Sequence, residues 1–174
     1  MRFSFAIESL LAAGLVATWP IPAPAECGPG RIPNYDDIQS VSYGRTGCFG
    51  RCPAYEVLFA DYERCNYVGE LYVAMPGTYE DHCSQAVLKR AVAALRLYGF
   101  YGMNYDSRIV VTDVPHYVIS VERCGVTTKL DWPAALPPDY YRKDIASLMN
   151  ALGKITKSIP WRKTSDSTEP EWIQ

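Results

Sequence analysis

The residues best equipped for chemistry lie together in the segment Cys48-Phe49-Gly50-Arg51-Cys52-Pro53-Ala54-Tyr55. Two cysteines with three residues between them offer three chemistries. As a disulfide they would close a small loop, with Gly50 relieving the strain of so short a ring. As a redox pair they would need a thiolate held by a helix N-terminus or a nearby cation, and Arg51 supplies the cation. As a copper site they would add soft thiolates to an imidazole, for which His116 is the distant candidate. His116 follows Asp113-Val114-Pro115, and Asp113 with His116 would make an acid–base pair. No serine or cysteine motif stands near either, and Asp113-x-Pro115 reads more simply as a turn before a strand. His82 and Cys83 are adjacent in a loop, where neighbours rarely face one centre, so His82 is expected at the surface. No phosphate loop, dinucleotide fingerprint or zinc-protease helix motif occurs anywhere in the chain.

The compartment decides which of these chemistries applies. Residues 1–25 read as a secretory signal peptide, with Arg2 as the basic start, Ser9 to Trp19 as the apolar stretch and Pro20 as its breaker. Ala23-Pro24-Ala25 presents small residues where a signal peptidase cuts, predicting cleavage before Glu26. The apolar run is shorter than the about 20 residues that cross a bilayer, so no membrane span is expected in the mature chain. Glu26 ahead of Cys27 argues against lipoprotein processing. All six cysteines (Cys27, Cys48, Cys52, Cys65, Cys83 and Cys124) lie beyond the leader. An even count in an oxidising compartment implies disulfides, and the sequence does not choose among the pairings. The mature protein is expected in the periplasm or outside the cell. The formal charge of the 174-residue chain is −2, and cleavage removes one basic and one acidic residue, Arg2 and Glu8. With no run of Lys or Arg to neutralise a row of phosphates, nucleic acid is not an expected partner.

The elements that must position these residues follow from periodicity. Residues 26–37 are rich in Gly and Pro and form an irregular arm. Ile38 to Tyr43, Tyr55 to Ala60 and Tyr67 to Val73 read as strands, the last two alternating apolar residues with polar ones as a hairpin. Met75-Pro76-Gly77 ends it. Ser84 to Tyr98 is an amphipathic helix with Val87, Leu88, Ala91, Val92 and Leu95 on one face, Ser84 as N-cap and Gly99 as the C′ residue. Tyr117 to Val121 turns at Cys124-Gly125 into Val126 to Trp132. A second helix opens near Pro138 or Asp139, carries Ile145, Leu148, Met149 and Leu152 on one face, and ends at Gly153. Residues 163–174 read as a disordered polar tail. Residues 38–162 are therefore expected to form a single α+β domain, an antiparallel sheet built from hairpins with both helices packed on one face. The 13 tyrosines agree with a sheet and with a recognition surface, since the ring is apolar and its hydroxyl polar.

Two resemblances add to this reading. Cys-x-x-x-Cys-Pro resembles the copper motif of the Sco-type copper chaperones, which would imply copper bound by Cys48, Cys52 and His116. Those proteins are thioredoxin-like, and the strand pattern here is not. The segment CFGRCPAY, Tyr67-Val68-Gly69, the helix ending at Phe100 and Asp113-x-Pro115 before a strand resemble the bacterial family known as domain of unknown function 6438, over roughly Gln39 to Leu152. That resemblance implies the same domain and brings no activity, cofactor or metal. The chain departs from the family in carrying cysteine at both hairpin tips, Cys65 and Cys124. Neighbouring tips would let Cys65 bridge Cys124, leaving Cys27 for Cys83.

The expected function is a disulfide-stabilised, non-enzymatic binding or structural module of the cell envelope. Its partner would be a protein, an envelope component or a small ligand. The alternative is a thiol–disulfide redox or copper-handling protein using Cys48 and Cys52. Phe49, Arg51, Tyr55, Asp113 and His116 are the candidate binding residues.

Overall fold

Alternation of apolar and polar residues builds the strands, and one apolar face per strand makes the core. The computed structural model describes residues 35–60, 64–103, 113–134 and 143–165. The expected leader and most of the expected arm lie outside the described residues. In chain order the elements are β1 (Ile38–Arg45), β2 (Ala54–Ala60), β3 (Arg64–Leu71), β4 (Gly77–His82), α1 (Gln85–Leu97), β5 (His116–Arg123), β6 (Val126–Pro133), α2 (Lys143–Lys157) and β7 (Arg162–Ser165). The strands form one seven-stranded sheet, ordered β6-β5-β1-β2-β3-β4-β7, with every pairing antiparallel. This is the expected α+β fold.

Val41 and Tyr43 of β1, Val57 and Phe59 of β2, Ile119 and Val121 of β5, and Leu130 and Trp132 of β6 are all buried. At period 2 these residues point to one side of the sheet. Leu88, Ala91 and Leu95 of α1 and Ile145, Leu148 and Leu152 of α2 complete the same cluster, so both helices lie on that face. Each fully buried Leu, Ile or Phe contributes about 1.5–3 kcal/mol of apolar transfer. The other face carries Ser40, Ser42, Glu56, Ser120, Glu122, Lys129 and Asp131.

Local chemistry ends α1 as the sequence predicts. Gly99 adopts φ 66°, and the amides of Tyr98 and Gly99 donate to the carbonyls of Ala94 and Arg96. The β5–β6 hairpin turns through Cys124 and Gly125, at φ 52° and 73° between the paired Arg123 and Val126. Two consecutive positive φ values make this a type I′ turn, whose backbone twist matches that of the strands.

Five expectations are corrected. α2 runs past Gly153 to Lys157, because Ile155 is buried and Thr156 reaches Tyr43 on the sheet. Those contacts outweigh the about 1 kcal/mol that glycine costs inside a helix. Its expected start near Pro138 or Asp139 lies outside the described residues. Cys65 is not at a hairpin tip but inside β3, facing the core, and β3 ends at Leu71 rather than Val73. β4 follows Gly77, where no strand is expected, and pairs with both β3 and β7. β7 takes Lys163, Thr164 and Ser165 out of the tail assigned to disorder; residues 166–174 lie outside the described ones.

Candidate functional site

The Cys48–Cys52 segment connects β1 to β2 at one end of the sheet, and both ends of the connection are pinned. The two cysteines are joined by a disulfide with Cα atoms 5.6 Å apart. At the β1 end, the Thr46 amide donates to the His116 carbonyl at 2.9 Å. The His116 amide returns a bond to Thr46 Oγ1 at 2.8 Å. The loop is therefore tied to the first residue of β5. Gly50 sits at its turn with φ 151°, its amide donating to the Cys48 carbonyl. At the crest Phe49 is 95% exposed, and Arg51 beside it is exposed as well. After Cys52 the chain enters β2, so the segment supplies no helix N-terminus of its own to the sulfurs.

Asp113-x-Pro115 forms the turn before a strand that the sequence suggests, and His116 and Asp113 are not paired with each other. The His116 imidazole meets Asp131 across the β5–β6 hairpin, Nδ1 to Oδ1, at 2.6 Å. Lys129 Nζ lies 3.6 Å from the other Asp131 oxygen. Asp113 is exposed at φ 61°, in the turn that precedes β5. Asp131 was findable in the sequence. Counting back from the Cys124-Gly125 turn sets Val118 opposite Asp131, two residues from His116 on the same face. His82 is at the surface, as expected.

Below the loop, on the face away from the helices, a cleft of about 350 Å³ is lined by Ser42, Thr46, Glu56, Glu70, Ser120 and Lys129, with Arg45 and Tyr55 at its margin. Burial pushes the Glu56 carboxyl above its ordinary range, the Glu70 charge raises it further, and Lys129 draws it partly back. Periodicity alone gives no signal for Glu56 or Glu70; they come together because β2 and β3 pair.

Tyr55 points instead to the helix side, into a row of rings that crosses four strands. The centroids of Tyr43 and Tyr55 lie 6.1 Å apart, Tyr55 and Tyr67 6.3 Å, and Tyr67 and Tyr79 5.8 Å, with Trp161 5.8 Å from Tyr67. Arg45 caps the β1 end, its guanidinium 5.7 Å from the centre of the Tyr117 ring. Burial raises the Tyr55 hydroxyl above its ordinary value and pushes that of Tyr67 up to about 12. Among the described residues most tyrosines therefore pack in or against the core, with Tyr55 half-buried at its margin.

The second disulfide overturns the expected pairing. Cys65 joins Cys83, with Cα atoms 5.5 Å apart, so neither the Cys65–Cys124 nor the Cys27–Cys83 bridge forms. Cys83 lies just ahead of α1, as the sequence suggests, and the pairing of β4 with β3 brings it to Cys65. Cys124 is also disulfide-bonded, and Cys27 lies outside the described residues. Among the described residues no group of three or more His, Cys, Asp or Glu is placed to hold a metal ion. Among them too, no helix is long and apolar enough to cross a membrane.

A comparison with curated proteins returns no match. The family model described as Domain of unknown function (DUF6438) matches residues 39–156, from β1 almost to the end of α2. That span holds the pinned Cys48–Cys52 loop, the His116–Asp131 pair and the tyrosine row, and it covers more than half of the chain: the protein belongs to the DUF6438 family.

Proposed function

We propose that the protein is an exported, disulfide-stabilised binding or structural module of the cell envelope, acting outside the cytoplasm without catalysing a reaction. Its contact surface is the crest of the Cys48–Cys52 loop, Phe49 and Arg51, together with the flank where His116 meets Asp131. Phe49 carries the reading. A phenyl ring 95% in water, on a loop closed by a disulfide and fixed by two hydrogen bonds, offers its whole apolar surface for burial against a partner. Held rigidly, it meets a partner at little cost in ordering. The leader of residues 1–25 and the disulfides support export. The entry of β2 directly after Pro53 supports a structural rather than a redox role for the bridge, because the segment that follows is a strand and not the helix whose N-terminus would lower a thiol.

Two measurements test this. Intact mass of the exported protein should begin at Glu26 and show every cysteine oxidised, with the Cys48–Cys52 bridge resisting mild reductant. Ready reduction, turnover in an insulin-reduction assay, or stoichiometric Cu(I) uptake by the reduced protein would replace the proposal with a redox or copper-handling role. Co-sedimentation with the cell's envelope fraction should fall when Phe49→Ala and Arg51→Ala are combined. Stability should stay within about 0.5 kcal/mol of the parent, since both side chains are exposed.

A further inference from the structure

β6 ends the sheet among the described residues, and its outer edge is unlike that of β7 at the opposite end. β7 is four residues long and basic, a short edge of the kind that discourages pairing. β6 is eight residues long, and Val126, Thr127, Thr128, Lys129 and Asp131 are exposed along it. Its backbone polarity follows from the turn. In a two-residue hairpin the flanking pair, Arg123 and Val126, exchanges both hydrogen bonds, so residues 126, 128, 130 and 132 face β5. The amides and carbonyls of Thr127, Lys129 and Asp131 then point away from the sheet. Pro133, which has no amide, falls on the same outward set, where strands tolerate proline. The bond from the Ala134 amide to the Pro115 carbonyl keeps this alternation.

We propose that this edge pairs with β6 of a second copy, antiparallel about a two-fold axis at Leu130, joining two sheets into one. The side chains choose that register. Centred on Leu130, Lys129 stands opposite Asp131 of the copy, and Asp131 opposite its Lys129. These are two opposite-charge pairs on the open face, with the two leucines adjoining on the helix side. Centred one residue earlier, Lys129 would face its own copy. A lone lysine would guard the edge against any strand; with Asp131 two residues on, it matches only its own sequence in this register. α1 packs over β1 and β2 in the middle of the sheet, and Phe100, Tyr101 and Met103 after it stand across a cavity of about 450 Å³ from Thr128 to Asp131. The contact is a single strand pair, smaller than the about 1,200 Å² of a stable interface, so the dimer is weak and concentration-dependent.

Sedimentation equilibrium of the mature protein over a concentration series tests the proposal, with amide hydrogen exchange followed at each concentration. The expected result is a rise in mass towards twice the monomer. The amides of Thr127, Lys129 and Asp131 gain protection in step, while those of Thr128, Leu130 and Trp132 are protected throughout. Lys129→Asp turns two attractive pairs into two repulsive ones and weakens association about tenfold. Combining it with Asp131→Lys restores the pairs and the affinity. Lys129 is exposed, so the fold survives the change, and an unchanged circular dichroism spectrum checks this. A monomer at every concentration, a dimer without protection at the odd-numbered amides, or one indifferent to Lys129→Asp would each overturn the proposal. Lys129→Asp alone leaves Phe49 and Arg51 untouched, so the dimer and the envelope contact are read separately in that variant; Asp131→Lys also removes the partner of His116 and is scored for association only.

Discussion

The bond between Tyr43 and Thr156 ties α2 to the centre of the sheet, and its two ends should respond unequally to mutation. Both side chains are buried, at 1% and 8% exposure. The Thr156 hydroxyl donates its one hydrogen to the Leu152 carbonyl at 3.1 Å, so the bond to Tyr43 must be donated by the tyrosine. Tyr43→Phe then removes a donor and leaves Thr156 its bond to Leu152. The loss is one net buried hydrogen bond, about 1 kcal/mol. Thr156→Val keeps the side-chain shape but leaves the Tyr43 hydroxyl in the core without its acceptor, a penalty of about 1–3 kcal/mol. The double variant removes both polar groups, so it should cost less than the sum, with a coupling of about 1 kcal/mol. The assay is urea unfolding followed by circular dichroism with the disulfides intact, comparing midpoints at unchanged slope. If Tyr43→Phe costs as much as Thr156→Val, or the double variant is additive, the donor assignment and the anchoring role both fail.

Three further outcomes follow from the same structure. The Cys65–Cys83 bridge closes a loop of sequence separation 18 and Cys48–Cys52 one of 4, so replacing each pair by alanine should cost about 3 and about 2 kcal/mol in the chain-entropy picture. The first pair should cost more still, because both its cysteines are buried, and equal midpoint losses on thermal unfolding would contradict this order. Tyr43, Tyr55, Tyr67 and Tyr101 all have hydroxyl pKa values raised by burial above the ordinary 10.0. Their folded forms hold protons that the unfolded chain releases, so the stability they contribute is complete below pH 10 and lost above it. Ultraviolet titration of tyrosinate should therefore show a late fraction that ionises only as the protein unfolds; full reversible titration near pH 10 would refute the burial. For Glu56, raised above 4.5, the same sign holds: its charge opposes folding at neutral pH. Glu56→Gln should raise the unfolding midpoint at pH 7, and the gain should vanish below pH 4.5; an equal gain at both pH values would point to packing instead.

The sequence by itself determined the local structure. Alternation marked β1, β2, β3, β5 and β6, and the 3.6-residue stripe marked the buried faces of α1 and α2. Gly99 and the Cys124-Gly125 pair marked where chain direction changes. Each of these is written within a few residues, because one side of the element is wet and the other dry. The Cys48–Cys52 bridge was legible for the same reason: its partners are close in the chain. Tertiary structure decided what distant segments supply to one another. β4 has the sequence Gly-Thr-Tyr-Glu-Asp-His, too polar to read as an inner strand, and exists as one because β3 and β7 satisfy its backbone on both sides. β1 lies between β5 and β2 because both pair with it, and Cys65 chose Cys83 once β4 had laid the start of α1 beside β3. His116 turned from Asp113, its neighbour in sequence, to Asp131, its neighbour across a hairpin. Period and turn chemistry are properties of short segments and are fixed before the chain folds. Partners brought together by strand pairing depend on which edges meet, and only the assembled sheet determines that.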